Sequence, residues 1–244
     1  MCTLVVATRV WDTAALVVAA NRDEQLARPA SPPHRWGGDD QPLIFAPRDL
    51  QAGGTWLGVR GASSFVGITN RWSDGASPAD RRSRGKLVLD ALGFDRAEDA
   101  AAHVAGLPAS MHAPFHLVMA DRAGAFLVWN DGEAHHHEVL APGIHVVSER
   151  SRGAAPTGRD GLLRERLRAF GPEEPELEAW RSLLSEHAAD PQEGPCVHDE
   201  ARGYGTRSST VVRLLAGGRV RFFHADGRPC VTAYEDLSAA ASPG

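Results

Sequence analysis

Short Val-rich runs arrive in blocks, separated by pairs of helical stretches, and this order narrows the fold more than any other feature of the chain. Leu4 to Val10 and Ala15 to Ala20 flank a polar turn around Asp12, the pattern of a hairpin with buried faces. Residues 21 to 55 carry Arg28-Pro29, Pro32-Pro33, Gly37-Gly38 and Gly53-Gly54, which predicts a long loop region holding at most a short strand at Leu43 to Ala46. A second hairpin follows, with Trp56 to Val59 and Phe65 to Thr69 around Gly61-Ala62-Ser63. Leu87, Val88, Ala91 and Leu92 then stripe one helix, and Ala97, Ala101, Val104 and Ala105 stripe the next. Four antiparallel strands are predicted between Phe115 and Ser148, then a helical pair carrying Leu163, Leu167 and Phe170 and Leu177, Trp180 and Leu184. A Gly- and Pro-containing loop spans 190 to 205. Three strands close the chain, at Ser209 to Leu215, Arg219 to Ala225 and Cys230 to Tyr234.

Strands and helices do not alternate strictly, so parallel crossovers are excluded in favour of antiparallel sheets covered by helices. Without a separating linker, residues 1 to 237 read as a single domain, and the Ala- and Ser-rich residues 238 to 244 as a loose tail.

Composition mainly removes alternatives. At 244 residues, folding takes roughly three quarters of the extended surface out of water, so the chain needs no staples. A net charge of −5, from 26 basic and 31 acidic residues, argues against a nucleic-acid binder. Three cysteines are too few for a secreted disulfide framework, and no apolar run is long enough for a membrane span. Ala14 to Ala20 has some character of a signal peptide, but Trp11-Asp12-Thr13 interrupts it and strands are preferred. These features together predict a cytoplasmic protein.

Cys2 draws attention by position. If Met1 is removed, thiol and α-amine share one residue, and an amine of pKa about 7.7 to 8.0 can take the proton of a thiol of pKa about 8.5. Position alone is weak, since Cys2 also simply begins an apolar strand. Asn21-Arg22-Asp23-Glu24 follows the second predicted strand as a charged turn, where Arg22 can lower a thiol pKa or hold an anion, and Asp23 can orient an ammonium. A solvated turn with local ion pairs is the plainer alternative. Gly53-Gly54-Thr55-Trp56 suits equally a close backbone approach to a ligand and a tight turn with Trp56 in the core. His135, His136 and His137 alternate across a strand, and Cys196, His198 and Asp199 lack a second cluster, so no metal is expected.

Met1-Cys2, a hairpin and Asn21-Arg22-Asp23-Glu24 together resemble the NRDE proteins, also called the transport and Golgi organisation family. Arg48-Asp49-Leu50, Gly53 to Gly58, Thr69-Asn70-Arg71, Ser83-Arg84-Gly85 and Tyr204 to Thr210 extend the resemblance almost to the last strand. Such proteins in turn look like N-terminal nucleophile (Ntn) hydrolases. The resemblance implies an α+β fold, a four-layer αββα sandwich of two antiparallel sheets between helix layers. It also implies catalytic roles for Cys2 as nucleophile, Arg22 and Asp23 as the charged pair beside it, Asn70 as an oxyanion donor and Arg207 as a second cation. The expected activity is hydrolysis of a carbon–nitrogen amide bond in a small acylated molecule, with no cofactor. The alternative is a non-catalytic carrier of haem or a lipid-like ligand on the same fold. Ser148-Glu149 departs from the Ser-Asn pair that related proteins carry, and a carboxylate there opposes an oxyanion.

Overall fold

The structure, a computed structural model, describes residues 2–37, 43–73, 81–153 and 155–242. Fourteen strands and five helices run along them in chain order. The first six strands are β1 (Cys2–Trp11), β2 (Ala14–Gln25), β3 (Ala30–Trp36), β4 (Ile44–Asp49), β5 (Leu57–Arg60) and β6 (Ser64–Asn70). Helices α1 (Arg84–Leu92) and α2 (Ala97–Ala105) precede β7 (Phe115–Asp121), β8 (Ala125–Asn130), β9 (His135–Leu140) and β10 (Gly143–Val147). Helices α3 (Gly158–Leu167) and α4 (Leu177–Leu184) lead to β11 (His198–Asp199), β12 (Tyr204–Leu215), β13 (Val220–Ala225), β14 (Glu235–Asp236) and α5 (Ser238–Ala241).

Two antiparallel sheets result. One has the order β10-β1-β2-β12-β13-β14, with β11 also on β12, and the other runs consecutively from β3 to β9. Both faces of β1 and β2 are buried, which is why their sequence is continuously apolar rather than alternating. Leu4, Val6, Leu16 and Val18 meet Phe45, Leu57, Phe65 and Val118 between the sheets. Val5, Ala7, Val17 and Ala19 face outward onto Leu163, Trp180 and Leu184 of α3 and α4. Helices α1 and α2 cover the other sheet through Leu87, Val88, Ala100 and Val104. The layer order is therefore helix, sheet, sheet, helix, the expected α+β sandwich. No described helix is long and apolar enough to cross a membrane.

Four expectations change. Residues 21 to 25 are the end of β2, not a turn, because β12 pairs along them with the register Asn21–Ser209 and Asp23–Thr206. A strand, β3, lies in the expected loop; it borders its sheet and its ladder shifts between Ser31 and His34, so Pro32 and Pro33 forfeit little pairing. The strand expected at Cys230 to Tyr234 is a turn before the two-residue β14. The tail is not loose through Ser242: Ala241 is buried in the intersheet core, and Arg35 donates to the carbonyls of Ala240 and Ser242. Pro243 and Gly244 lie outside the described residues, as does Met1.

Burial also sets a pH response. His116 Nε2–H donates to the Ser151 carbonyl at 2.6 Å, and His224 Nδ1 lies 2.9 Å from Thr210 Oγ1; burial pushes both imidazoles from 6.5 down to about 4. Below pH 6.5 the unfolded chain binds these protons while the folded chain does not, so stability falls as pH drops from 6.5 to 4. At about 1.4 kcal/mol per unit, each histidine removes roughly 3 kcal/mol by the end of that window. Urea midpoints recorded across it should fall steeply for the wild type and less so for His224→Gln; parallel curves would contradict this account.

Candidate active site

Alternation along a strand decides where each charge of the 21–24 segment points. Cys2 pairs with Arg22 across β1 and β2, and both share the parity of the intersheet residues Leu4 and Ala20. Arg22 accordingly reaches the second sheet, where Nη2 donates to Asp49 Oδ2 at 3.1 Å and the guanidinium stacks 4.1 Å above the Trp56 ring. Its other terminal nitrogen, Nη1, is buried without a hydrogen-bond partner. Arg28 Nε holds the same Asp49 oxygen at 2.7 Å.

Asp23 faces the other way, under the α3 layer. Thr206 Oγ1 donates to Asp23 Oδ1 at 2.7 Å, and Arg159 Nη1 donates to Asp23 Oδ2 at 2.8 Å and to Thr3 Oγ1 at 3.0 Å. Arg159 Nη2 also donates to the Gln192 carbonyl. The ion pair is almost wholly removed from water, with side-chain exposures of 3% and 0%.

Between the sheets opens a cleft of about 330 Å³, lined by Cys2, Arg22, Asp23, Asn70, Trp56 and Arg84 among others. Asn70 ends β6 and is exposed, whereas Cys2 is half-buried. Burial pushes the Cys2 thiol up and the charge of Asp23 adds to this; the Asp23 backbone N–H and the Arg22 guanidinium pull it down. Arg28, Arg81 and Arg82 also border the cleft, giving it a strongly cationic rim against Glu24 and Asp49.

Four of the five site residues expected from the sequence thus border one cleft. Arg207 does not. It is the extra residue where the β2–β12 ladder shifts between Thr206 and Ser208, and its guanidinium donates instead to the Arg28 carbonyl. Arg159 was absent from the sequence expectation, lying 136 residues from Asp23 with no local signal beyond its place at the start of α3.

The Gly-rich block and the Ser83-Arg84-Gly85 block are packed back to back. A Cβ on Gly54 would stand 2.3 Å from the Gly85 carbonyl carbon, and Thr55 N–H donates to Gly85 O. The close backbone approach that these glycines allow is to another loop, and it seats Trp56 and Arg84 on the cleft wall. Glu149 lies two residues beyond the final β1–β10 pair, Leu4–Val147, on the side toward Cys2. Burial raises its carboxyl pKa, against the pull of Arg159 and Arg150.

Of the groups weighed as metal ligands, His135, His136 and His137 go to separate partners: the Leu107 carbonyl, Asp131 and the Phe126 ring. Asp199 is held by Gln192 and Arg202. Cys196 and His198, however, are joined by His187 and Cys230, which no local spacing groups with them.

Residues 1–226 match the family profile described as Transport and Golgi organisation 2. The chain is 27% identical to the Transport and Golgi organization protein 2 homolog of Bos taurus and 28% identical to that of Homo sapiens, each alignment covering 85% of this chain and 84% of the relative. Among solved structures it is similar to the Caenorhabditis elegans ortholog of N-acylethanolamine-hydrolyzing acid amidase, with a TM-score of 0.63 and 13% identity over 87% of this chain and 93% of that one. It is also similar to a mutant conjugated bile acid hydrolase from Clostridium perfringens, with a TM-score of 0.53 and 11% identity over 98% and 93% of the two chains.

Proposed function

The chain belongs to the Transport and Golgi organisation 2 family and has an Ntn-hydrolase-like fold, and from that premise we propose that it is a cysteine amidohydrolase acting on a small acylated molecule. The observation that carries this reading is the placement of Cys2 at the end of β1, on a cationic cleft, beside Arg22 and facing a second sheet that offers Asn70. Removal of Met1 would leave the α-amine and thiol on one residue. The amine takes the thiol proton, and the thiolate attacks the substrate carbonyl carbon while the carbonyl π electrons move to oxygen. The Asn70 amide and Arg22 Nη1 are the hydrogen-bond donors for that oxyanion. Collapse of the intermediate breaks the carbon–nitrogen bond, and the ammonium returns its proton to the leaving nitrogen. Asp23, fixed by Arg159 and Thr206, supplies the negative field that stabilises the ammonium. Water, deprotonated by the free amine, then releases the acyl group from sulfur.

Glu149 fits this scheme when protonated, since a neutral carboxyl donates where a carboxylate repels; its raised pKa works in that direction. The arginine rim suits a substrate with an anionic end. Named substrates of the similar structures, N-acylethanolamines and conjugated bile acids, define the first panel. Three free thiols match a reducing compartment such as the cytoplasm.

The competing reading is a haem or lipid-like carrier. A haem site in this cleft would have Cys2 as its iron-ligating side chain, for neither His nor Met is among the described residues lining it.

Intact-mass spectrometry tests the enzyme reading directly. The purified protein should lack Met1, and mixing with a turned-over N-acyl compound should add the acyl mass at Cys2 before it decays. A chain that keeps Met1 quantitatively sinks the proposed base.

A further inference from the structure

Beyond the cleft, the loop after α4, the segment entering β12 and the turn after β13 converge on one point with four ligand-bearing side chains. Cys196 Sγ and Cys230 Sγ are 3.7 Å apart, and His198 Nε2 is 3.4 Å from each sulfur. The His187 ring lies 4.7 Å from the His198 ring, centroid to centroid, and ligand atoms of all four residues fall within 4.8 Å of one another. We propose that His187, Cys196, His198 and Cys230 form a tetrahedral zinc site.

The distances are those of a coordination shell. Zinc bonds of about 2.3 Å to sulfur and about 2.0–2.1 Å to nitrogen, at tetrahedral angles, put two sulfurs about 3.8 Å apart and sulfur and nitrogen about 3.5 Å apart. Three edges of the tetrahedron are thus present to within roughly 0.2 Å of that geometry. His187, the exposed member, supplies the fourth corner, its ligand atom within 4.8 Å of those of the other three. Two thiolates and two imidazoles are the soft and borderline donors that zinc selects over magnesium or calcium. A depression lined by Glu178, Glu186, His187 and Cys230 gives the ion a path from solvent.

Four protein ligands leave no open position, so the role is structural. The loop that it would clamp is tightly folded: Cys196 N–H donates to Glu186 O, Asn21 Nδ2 donates to both Leu184 O and Pro195 O, and a Cβ on Gly194 would meet the Ala188 nitrogen at 2.8 Å. The same loop offers the Gln192 carbonyl to Arg159, which holds Asp23. The metal would therefore brace the far side of the cleft from behind, independently of whether the cleft is an amidohydrolase.

The test is metal content and cobalt substitution on full-length protein purified anaerobically with reductant. Wild type should carry close to one zinc per chain, and after exchange Co²⁺ should give visible bands of tetrahedral intensity together with a near-ultraviolet thiolate-to-cobalt transition. Both signals should be lost in Cys230→Ser and His198→Ala and kept in Cys2→Ala, which leaves the cluster intact. Folded wild type with no bound zinc and no cobalt–thiolate transition would overturn the site. So would a transition that survives in Cys230→Ser, or a mass 2 Da low from a Cys196–Cys230 disulfide in the reduced preparation. The wild-type spectrum decides even if a variant fails to fold.

Discussion

Cys2→Ala is expected to lower amide hydrolysis by at least ~10³-fold while leaving the fold in place. The loss is large because the attacking atom itself is removed, and neither Asn70 nor Arg22 can replace a nucleophile by polarising the carbonyl alone. The fold should survive because Cys2 sits at a strand end, half-buried against a cleft, rather than in any of the three apolar cores. Thermal midpoints close to wild type would therefore accompany the lost activity. The measurement is kcat/KM on a panel of N-acyl compounds, with haem titrated into both proteins. Equal turnover by the two proteins would reject Cys2 as nucleophile. Tight haem binding by both, with no amide turnover by either, would move the assignment to the carrier.

Arg159→Met should have the largest effect on stability of any single change considered, about 3–5 kcal/mol, because it takes the guanidinium away from the Asp23 carboxylate in a site closed to water. Thr206 would still donate to Asp23 Oδ1, and the Thr3 hydroxyl and Gln192 carbonyl would lose their shared partner. Arg159→Lys should recover little, since a single ammonium cannot serve the three acceptors that the guanidinium fork spans. Removing the buried carboxylate charge as well, in Arg159→Met with Asp23→Asn, should return most of the loss. Urea unfolding of the four proteins reads all of this. If Arg159→Met cost under 1 kcal/mol, the pair would not be the buried anchor that its geometry implies.

The sandwich was legible where hydrophobic period and helix stripes agreed, as in β1, β7, α1 and α2. It was hidden where local chemistry and tertiary pairing disagree. Pro32 and Pro33 speak against a strand, but β3 lies at a sheet edge and has an irregular ladder. Asn21 to Glu24 look like a turn because charges rarely line a buried strand; here the two buried charges have partners distant in sequence, Asp49 for Arg22 and Arg159 for Asp23. Cys2, Arg22 and Asn70 were found through motif blocks. Arg159 and the pairing of Cys196 with Cys230 had no such block, because their meaning lies in loops that only the finished fold brings together.

The strand order of the first sheet bears on how the chain comes into being. β2 lies between β1 and β12, so its outer edge stays empty until residues near 215 have been made. At ordinary synthesis rates that delay is roughly 10–40 s, far longer than a hairpin takes to close. During that time the apolar edge of β2 is a template for any passing strand. Nascent chains stalled before β12 should therefore be the species that chaperones must shield, and the second sheet, whose seven strands pair in order of synthesis, should be the part that forms first.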